Sequence, residues 1–151
     1  MAAPLHALSC MPYGLPEALH DVSTSKDGYI AVTGTLSFEE DKLPFPDWDN
    51  QQDTPPLTKI KANFKGKVLG RTGFKKSFST VLIINVHCYG PWCAGAKSNK
   101  QVLAFLKQSP NGYSLEISPC GDHLFYKPSK ADLNTVKRCY LAKQCPTPNQ
   151  N

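Results

Sequence analysis

The sequence predicts a mainly β domain in which five strands close into a barrel, with a short N-terminal helix and a C-terminal helix packed on it. Hydrophobic residues alternate with polar ones along much of the chain, which is the two-residue period of half-buried strands. Turn-forming residues are frequent, with 10 glycines and 13 prolines among 151 residues, and all six cysteines can pair. This length suits one hydrophobic core, since single domains commonly run about 100–150 residues.

The cysteine content indicates an oxidising compartment. Cytosolic thiols stay reduced, so six cysteines in a short chain are typical of a secreted or periplasmic protein. The sequence contains no run of about 18 apolar residues, and we therefore predict no membrane-spanning segment. Residues 1–9 are interpreted as an N-terminal extension or expression remnant, residues 10–145 as the domain and residues 146–151 as a disordered tail.

A short helix and a curved strand are predicted first. Pro16 suits the first turn of a helix, because the N–H that proline lacks would have no partner there. From Gly28 to Phe38 apolar and polar residues alternate as in a half-buried strand. Gly34 interrupts the apolar series, which predicts a tight bend or a bulge.

Residues 39–56 are rich in turn formers and have no period, so we predict an irregular segment that Phe45 and Trp48 attach to the domain. Residues 59–65 then alternate between an apolar face and a basic face, which predicts a second strand. The glycines that follow are expected to loosen the chain: Gly66, Gly70 and Gly73.

The apolar run Val81–Ile84 has the length and β-branching of a strand covered on both faces, so we place it centrally. Residues 101–106 and 113–117 predict two further strands, and the turn sequence at residues 109–112 predicts that they form a hairpin.

Ser129, with Asp132 three residues later, predicts the capped start of the last helix. Five strands are too few for a sandwich, and the order lacks the strand–helix alternation of βαβ folds. A closed barrel of the OB type fits this order of elements.

Several segments in this order resemble a known family. They read SCMPYGLPEALHDV, GYIAVTGTLSF, a basic strand, CYGPWCAGAKSNKQVLAFL, GYSLEISPCG and a closing helix. Over nearly all of residues 10–140 the chain thus resembles the netrin-like domain, the OB-type module also found in tissue inhibitors of metalloproteinases. The resemblance implies an exported binding module.

The spacing of the cysteines alone leaves their pairing open. In the netrin-like family a Cys-x-Cys start is tied to a cysteine before the fourth strand and to one that ends the fifth, positions that Cys93 and Cys120 match. Here Cys10 stands alone between Ser9 and Met11. With this departure, the resemblance implies the disulfides Cys10–Cys120, Cys88–Cys93 and Cys139–Cys145.

The motifs that suggest catalysis or metal binding have the wrong spacing. Redox cysteines are separated by two residues at a helix N-terminus, whereas four residues separate Cys88 from Cys93. A zinc site formed by His87, Cys88, Cys93 and Cys120 lacks Cys-x-x-Cys spacing. Asp122 and His123 are expected to bind backbone groups in their turn. We therefore expect no enzyme, no cofactor and no metal, with a small redox protein as an alternative.

The basic stretch between residues 59 and 76 is the strongest functional feature that stands apart from the resemblance. Strand alternation places its first four lysines on one exposed face, about 6–7 Å apart. Such a face suits an anionic polysaccharide or cell surface, while the lack of outward aromatic residues disfavours nucleic acid. The alternative is a solvated face balanced by the acidic residues before it. The residues assigned to anion or partner binding are Lys59, Lys61, Lys65, Lys67, Arg71, Lys75 and Lys76.

The resemblance also implies an alternative function, metalloprotease inhibition of the tissue-inhibitor type. In those inhibitors the free amine and carbonyl of an N-terminal cysteine chelate the enzyme's zinc, whereas nine residues precede Cys10 here. Unless processing exposes Cys10, we expect the ridge Cys10, Met11, Pro12 and Tyr13 to contact a partner without chelation. Our leading expectation is a non-catalytic binding module for a protein or an anionic polymer, its oligomeric state left open.

Overall fold

The computed structural model describes residues 8–148, so the predictions for residues 1–7 and 149–151 concern positions outside the described residues. Two short 3-10 turns, Glu40–Lys42 and Gln51–Asp53, interrupt the segment between the first two strands. The helices and strands in chain order are α1 (Leu15–Thr24), β1 (Tyr29–Phe38), β2 (Leu57–Gly70), β3 (Gly73–Tyr89), β4 (Trp92–Cys93), β5 (Lys100–Ser109), β6 (Gly112–Ser118), β7 (Gly121–Asp122), β8 (Leu124–Tyr126) and α2 (Lys130–Ala142).

Five of the strands pair in a closed ring. β1 pairs antiparallel with β2 and with β5, β2 pairs with β3, and β5 pairs with β6. The ring closes where β3 and β6 run parallel, from Leu82 opposite Tyr113 to Val86 opposite Ile117. The prediction of a mainly β fold with two such helices is confirmed. The predicted count of five strands is wrong, because short strands of two or three residues, β4, β7 and β8, also form within the described residues.

Alternate residues of the ring strands point into a shared apolar interior. In β2, Ile60, Ala62 and Phe64 are buried while the intervening residues are exposed. Burying one large apolar side chain contributes roughly 1.5–3 kcal/mol. The interior includes Val32, Leu36, Ile60, Phe64, Leu82, Ile84, Val86, Val102, Leu106, Leu115 and Ile117.

The two helices cover the outer face of β1 and β5, where their apolar residues form a second cluster with Phe105. This is why Val102–Leu106 is buried at every position: alternate residues face the ring interior and the helices. The run Val81–Ile84 has no residue in this cluster, and Val81 is 50 % exposed. The prediction that Val81–Ile84 is covered on both faces is therefore wrong.

Both helices begin as predicted. Pro16 lies in the first turn of α1. At the start of α2 the Ser129 hydroxyl accepts a hydrogen bond from the Asp132 N–H at 3.0 Å, and the Asp132 carboxylate accepts one from the Ser129 N–H at 2.8 Å. These reciprocal bonds satisfy backbone donors that a helix start leaves without intrahelical partners.

The segment before β2 is irregular as predicted, but only one of its two aromatic residues contacts the domain as expected. Trp48 meets Trp92, whereas Phe45 is 91 % exposed. The glycines after residue 65 do not loosen the chain, because β2 continues through Gly66 to Gly70 and turns directly into β3. The result is one long hairpin.

All three disulfides form in the pairing that the resemblance implied. Cys10–Cys120 ties the N-terminal segment to the turn after β6, Cys88–Cys93 links β3 to β4, and Cys139–Cys145 fastens the end of α2. Among residues 8–148, neither helix has the length and apolarity needed to cross a membrane.

Gly34 and Gly66 lie directly opposite each other where β1 crosses β2. A Cβ atom on Gly34 would lie 2.3 Å from the Lys65 carbonyl oxygen and 2.6 Å from the Gly66 Cα atom. The register of this strand pair continues through the two glycines without a shift, so Gly34 forms no bulge with β2. The glycines are required for the close approach of the two backbones.

We expect Gly34→Ala to lower the free energy of unfolding by about 2–3 kcal/mol, because the backbones must separate to admit the methyl group. Urea denaturation of the oxidised protein, followed by circular dichroism, measures this change. Gly95→Ala is the control, since a Cβ atom there has no neighbour within 4 Å. A Gly34→Ala variant as stable as the parent would contradict the close-approach argument.

Candidate binding surfaces

The lysine stripe, which we define as Lys59, Lys61, Lys65 and Lys67, runs along the outer face of β2. All four side chains are exposed, as is Asn63 at the middle of the stripe, and Ile60, Ala62 and Phe64 between them face the interior. The predicted basic face is therefore present. Over these nine positions of extended chain the stripe is about 26 Å long.

The strands beside Lys65 and Lys67 carry hydroxyl groups rather than charges, whereas Asn85 and Ile83 of β3 lie opposite Lys59 and Lys61. Lys65 lies opposite Thr35 on β1 and Ser79 on β3. Lys67 lies opposite Ser77, and its Nζ donates a hydrogen bond to the Ser77 hydroxyl at 3.1 Å. At this end of the stripe an anionic ligand would meet ammonium groups flanked by further hydrogen-bond donors.

The remaining predicted basic residues lie on the same β2–β3 hairpin. Arg71 is exposed in the turn between the strands, and Lys75 and Lys76 are exposed at the start of β3. The structure thus brings all seven predicted anion-binding residues onto one hairpin.

The acidic residues before β2 form other contacts. The Glu39 carboxylate pairs with Lys42 at 3.0 Å, and Glu40 accepts a hydrogen bond from the Ser98 N–H at 2.7 Å. Asp47 accepts hydrogen bonds from two backbone N–H groups of its own turn. None of the ion pairs found within residues 8–148 involves the lysine stripe. These carboxylates do not neutralise the stripe by direct pairing.

His87 contacts a carboxylate rather than the cysteines considered with it as zinc ligands. Its Nε2 lies 2.6 Å from Glu116, which also accepts a hydrogen bond from the Asn85 side chain at 2.8 Å. Cys88, Cys93 and Cys120 form disulfides and have no free thiol to bind zinc. In the described part of the chain, no group of three or more His, Cys, Asp or Glu side chains is placed to hold a metal ion.

Half of the predicted partner ridge is fixed in the fold. The Tyr13 hydroxyl donates a hydrogen bond to Asp21 at 2.9 Å, and burial together with Asp21 raises the pKa of Tyr13. The Tyr13 ring also packs on Gly121, where a Cβ atom would lie 2.7 Å from it. Met11 is 69 % exposed and Pro12 is also exposed, so these two residues are the accessible part of the ridge.

Asp122 lies between two surface cavities beside the Cys10–Cys120 disulfide, of about 340 and 530 Å³. Its carboxylate accepts a hydrogen bond from the Ser118 N–H at 2.8 Å, which confirms that it binds a backbone group of its turn. Burial raises the pKa of Asp122 to about 6, and the bond from Ser118 opposes this shift.

The prediction that the His123 side chain binds a backbone group is wrong. Its imidazole packs edge-on against Tyr29, with ring centroids 5.4 Å apart, and its Nδ1 is buried without a hydrogen-bond partner among the described residues. Burial lowers the pKa of His123, which favours the neutral imidazole. The side chain packs as part of the apolar layer under the helices.

The sequence did not predict that Asp122 and two tryptophans line the same cavity. Trp48 and Trp92 line the larger cavity together with Asp122, although the three residues come from three separate segments. The available signal was weak: each tryptophan lies within two residues of a proline, in segments interpreted only as turns or a disulfide loop.

We expect Asp122→Asn to raise the stability at about pH 7.5 and to change it little at pH 4. The pKa of about 6 in the folded state exceeds the usual 3.8, so the folded state holds the proton more tightly. Stability is therefore lost as the pH rises from 4 to 6, and the loss is complete above that range. Asparagine keeps an acceptor for the Ser118 N–H but stays neutral.

Thermal unfolding at the two pH values measures this effect. The expected gain at about pH 7.5 is about 1–2 kcal/mol, since partial solvent exposure reduces the free energy that corresponds to the pKa change. Asp41→Asn, at an exposed position, is the control with the same charge change. Equal stability of the parent and Asp122→Asn at pH 7.5 would show that the carboxylate carries no desolvation cost.

Comparison with protein-family models, with curated proteins and with solved structures found no match to this chain. Its similarity to the netrin-like domain therefore stays a prediction from the sequence.

Proposed function

We propose that this chain is a netrin-like domain whose strand ring is an OB-type barrel, exported to a secreted or periplasmic compartment and acting as a non-catalytic binding module. The closed ring of five strands with a parallel β3–β6 pair supports the barrel. Three disulfides support an oxidising compartment, because such bonds persist where thiols are not kept reduced.

The partner that the surface favours is an anionic polysaccharide, and the lysine stripe is the observation that carries this assignment. The four lysines lie along one strand, and none of them has an ion-pair partner among residues 8–148. Lys59 and Lys61 lie about 6–7 Å apart, as do Lys65 and Lys67, so the potentials within each pair add over one Debye length, about 8 Å at physiological salt. Asn63 separates the two pairs. A linear polymer with regularly spaced negative groups can contact the whole stripe at once.

Neighbouring residues distinguish this ligand class from single-stranded nucleic acid. Nucleic-acid-binding sheets stack bases on outward aromatic side chains. The outward positions of β2 carry lysine and Asn63 instead, and the positions facing them on β3 include Ser77, Ser79 and Val81. Hydroxyl donors beside ammonium groups suit sulfate and carboxylate oxygens.

The alternative functions have less support. Chelation of a protease zinc requires a free amine on Cys10, whereas in this chain that nitrogen forms a peptide bond with Ser9. A redox function requires an accessible thiol of lowered pKa. Cys88 is only 4 % exposed and pairs with Cys93 across the β3–β4 hairpin, which suits a structural disulfide.

We expect the protein to be retained on immobilised heparin and to elute at moderate salt. Lys61→Glu combined with Lys65→Glu should weaken binding by roughly tenfold or more and lower the salt concentration of elution, because two attractive charges become repulsive. Lys26→Glu combined with Lys130→Glu is the matched control, since it changes two exposed lysines outside the stripe and alters the net charge equally.

Equal retention of the two double variants would contradict a specific role of the lysine stripe and indicate a response to net charge alone. Circular dichroism of both variants checks that the fold is intact.

A further inference from the structure

The larger cavity beside the Cys10–Cys120 disulfide is an aromatic groove of about 530 Å³. Four segments form its walls: the N-terminal segment with Leu8 and Cys10, the irregular segment before β2, the β3–β4 hairpin with the residues after it, and the turn after β6. The groove residues used in the argument below are Pro46, Trp48, Pro91, Trp92 and Asp122.

The two tryptophans give the aromatic groove an aromatic wall. Their rings meet edge to face, with centroids 5.7 Å apart and an interplanar angle of 89°. Trp48 is 53 % exposed, a large apolar surface to leave in water. An indole face carries negative electrostatic potential and is the strongest cation-binding surface among the aromatic side chains.

Among residues 8–148, the side chains that line the aromatic groove include a carboxylate and no cation. Asp122 is partly desolvated there, and the hydrogen bond that it accepts comes from an uncharged backbone N–H. No lysine or arginine lies among the described residues that line the groove. Asp47 and Asp49 flank Trp48 in sequence and add negative charge beside it. The site therefore complements a positively charged group.

We propose that the aromatic groove binds an arginine side chain presented by a peptide segment of a partner protein. A guanidinium is planar and weakly hydrated, so it stacks on an indole face and donates two hydrogen bonds to one carboxylate. It would thus use both features of the groove, the exposed Trp48 ring and the Asp122 carboxylate. This site differs in position and in sign of charge from the lysine stripe, and its occupation does not depend on polysaccharide binding.

Intrinsic fluorescence tests the proposal directly, because the aromatic groove contains both tryptophans of the chain. The oxidised full-length protein is titrated with the pentapeptide acetyl-Gly-Arg-Gly-Arg-Gly-amide at about pH 7.5. A saturable change in tryptophan emission is expected. The same peptide with citrulline in place of arginine keeps the shape but lacks the charge, and should bind at least tenfold more weakly.

Two variants test the assigned contacts. Asp122→Asn and Trp48→Ala should each weaken binding of the arginine peptide at least tenfold, with Trp92 reporting in the second variant. Asp41→Asn removes a carboxylate from the irregular segment that carries Trp48, at a position that does not line the groove. This variant should bind as the parent does. Circular dichroism verifies that each variant is folded.

The proposal is overturned if the arginine peptide causes no saturable change, if the citrulline peptide binds equally well, or if Asp122→Asn keeps the parent affinity. A saturable response to cellohexaose but not to the arginine peptide would identify a sugar-stacking site instead. The Lys61→Glu, Lys65→Glu variant should bind the arginine peptide as the parent does but bind heparin more weakly. Asp122→Asn should bind heparin as the parent does but bind the peptide more weakly. The two proposals can therefore be contradicted independently.

Discussion

Closure of the strand ring between β3 and β6 is the constraint on which the other features depend. Once these strands pair in parallel, every ring strand has a neighbour on both sides and one face turned to a common interior. The interior can be filled only by apolar side chains, which fixes the inward register of each strand. In β2 the same register turns the intervening lysines outward, so the lysine stripe is a consequence of how Ile60 and Phe64 are buried.

The ring also determines where the aromatic groove lies. Closure brings the end of β3, with its Cys88–Cys93 hairpin, close to the end of β6, since Val86 lies opposite Ile117. The Cys10–Cys120 disulfide then attaches the N-terminal segment to the turn after β6. Groove residues that are far apart in sequence become neighbours because the strands that carry them are joined. Cys10–Cys120 closes the longest loop of the three, and a cross-link over a long loop restricts the unfolded chain most.

The local patterns of the sequence predicted the strands and the outward face of β2, because a two-residue period reports directly which side is buried. Alternation identified the lysine stripe, and the Ser129–Asp132 pair identified the start of α2. The runs Val81–Ile84 and Val102–Leu106 could not be distinguished, since both are continuously apolar. Which one is covered on its outer face depends on where α1 and α2 pack, a property of the whole fold.

The aromatic groove was beyond sequence reasoning for a related reason. Trp48, Trp92 and Asp122 show no shared periodicity or motif, and only the closed ring and its disulfides bring them together. Gly34 was recognised as exceptional, but its partner Gly66 was interpreted as a loosening residue. A single sequence shows that a position lacks a side chain and does not show which backbone approaches it.

The two surfaces differ in how solvent acts on them. The lysine stripe is exposed, so its attraction for a polyanion is reduced by salt ions over distances comparable to the Debye length. In the aromatic groove the carboxylate is partly withdrawn from water, as its raised pKa indicates, and short-range contacts there are screened less. The formal net charge of +5 is therefore a sum over a positively charged stripe and a negatively charged groove, which differ in their sensitivity to salt. We therefore expect added salt to weaken the binding proposed for the lysine stripe more than the binding proposed for the aromatic groove.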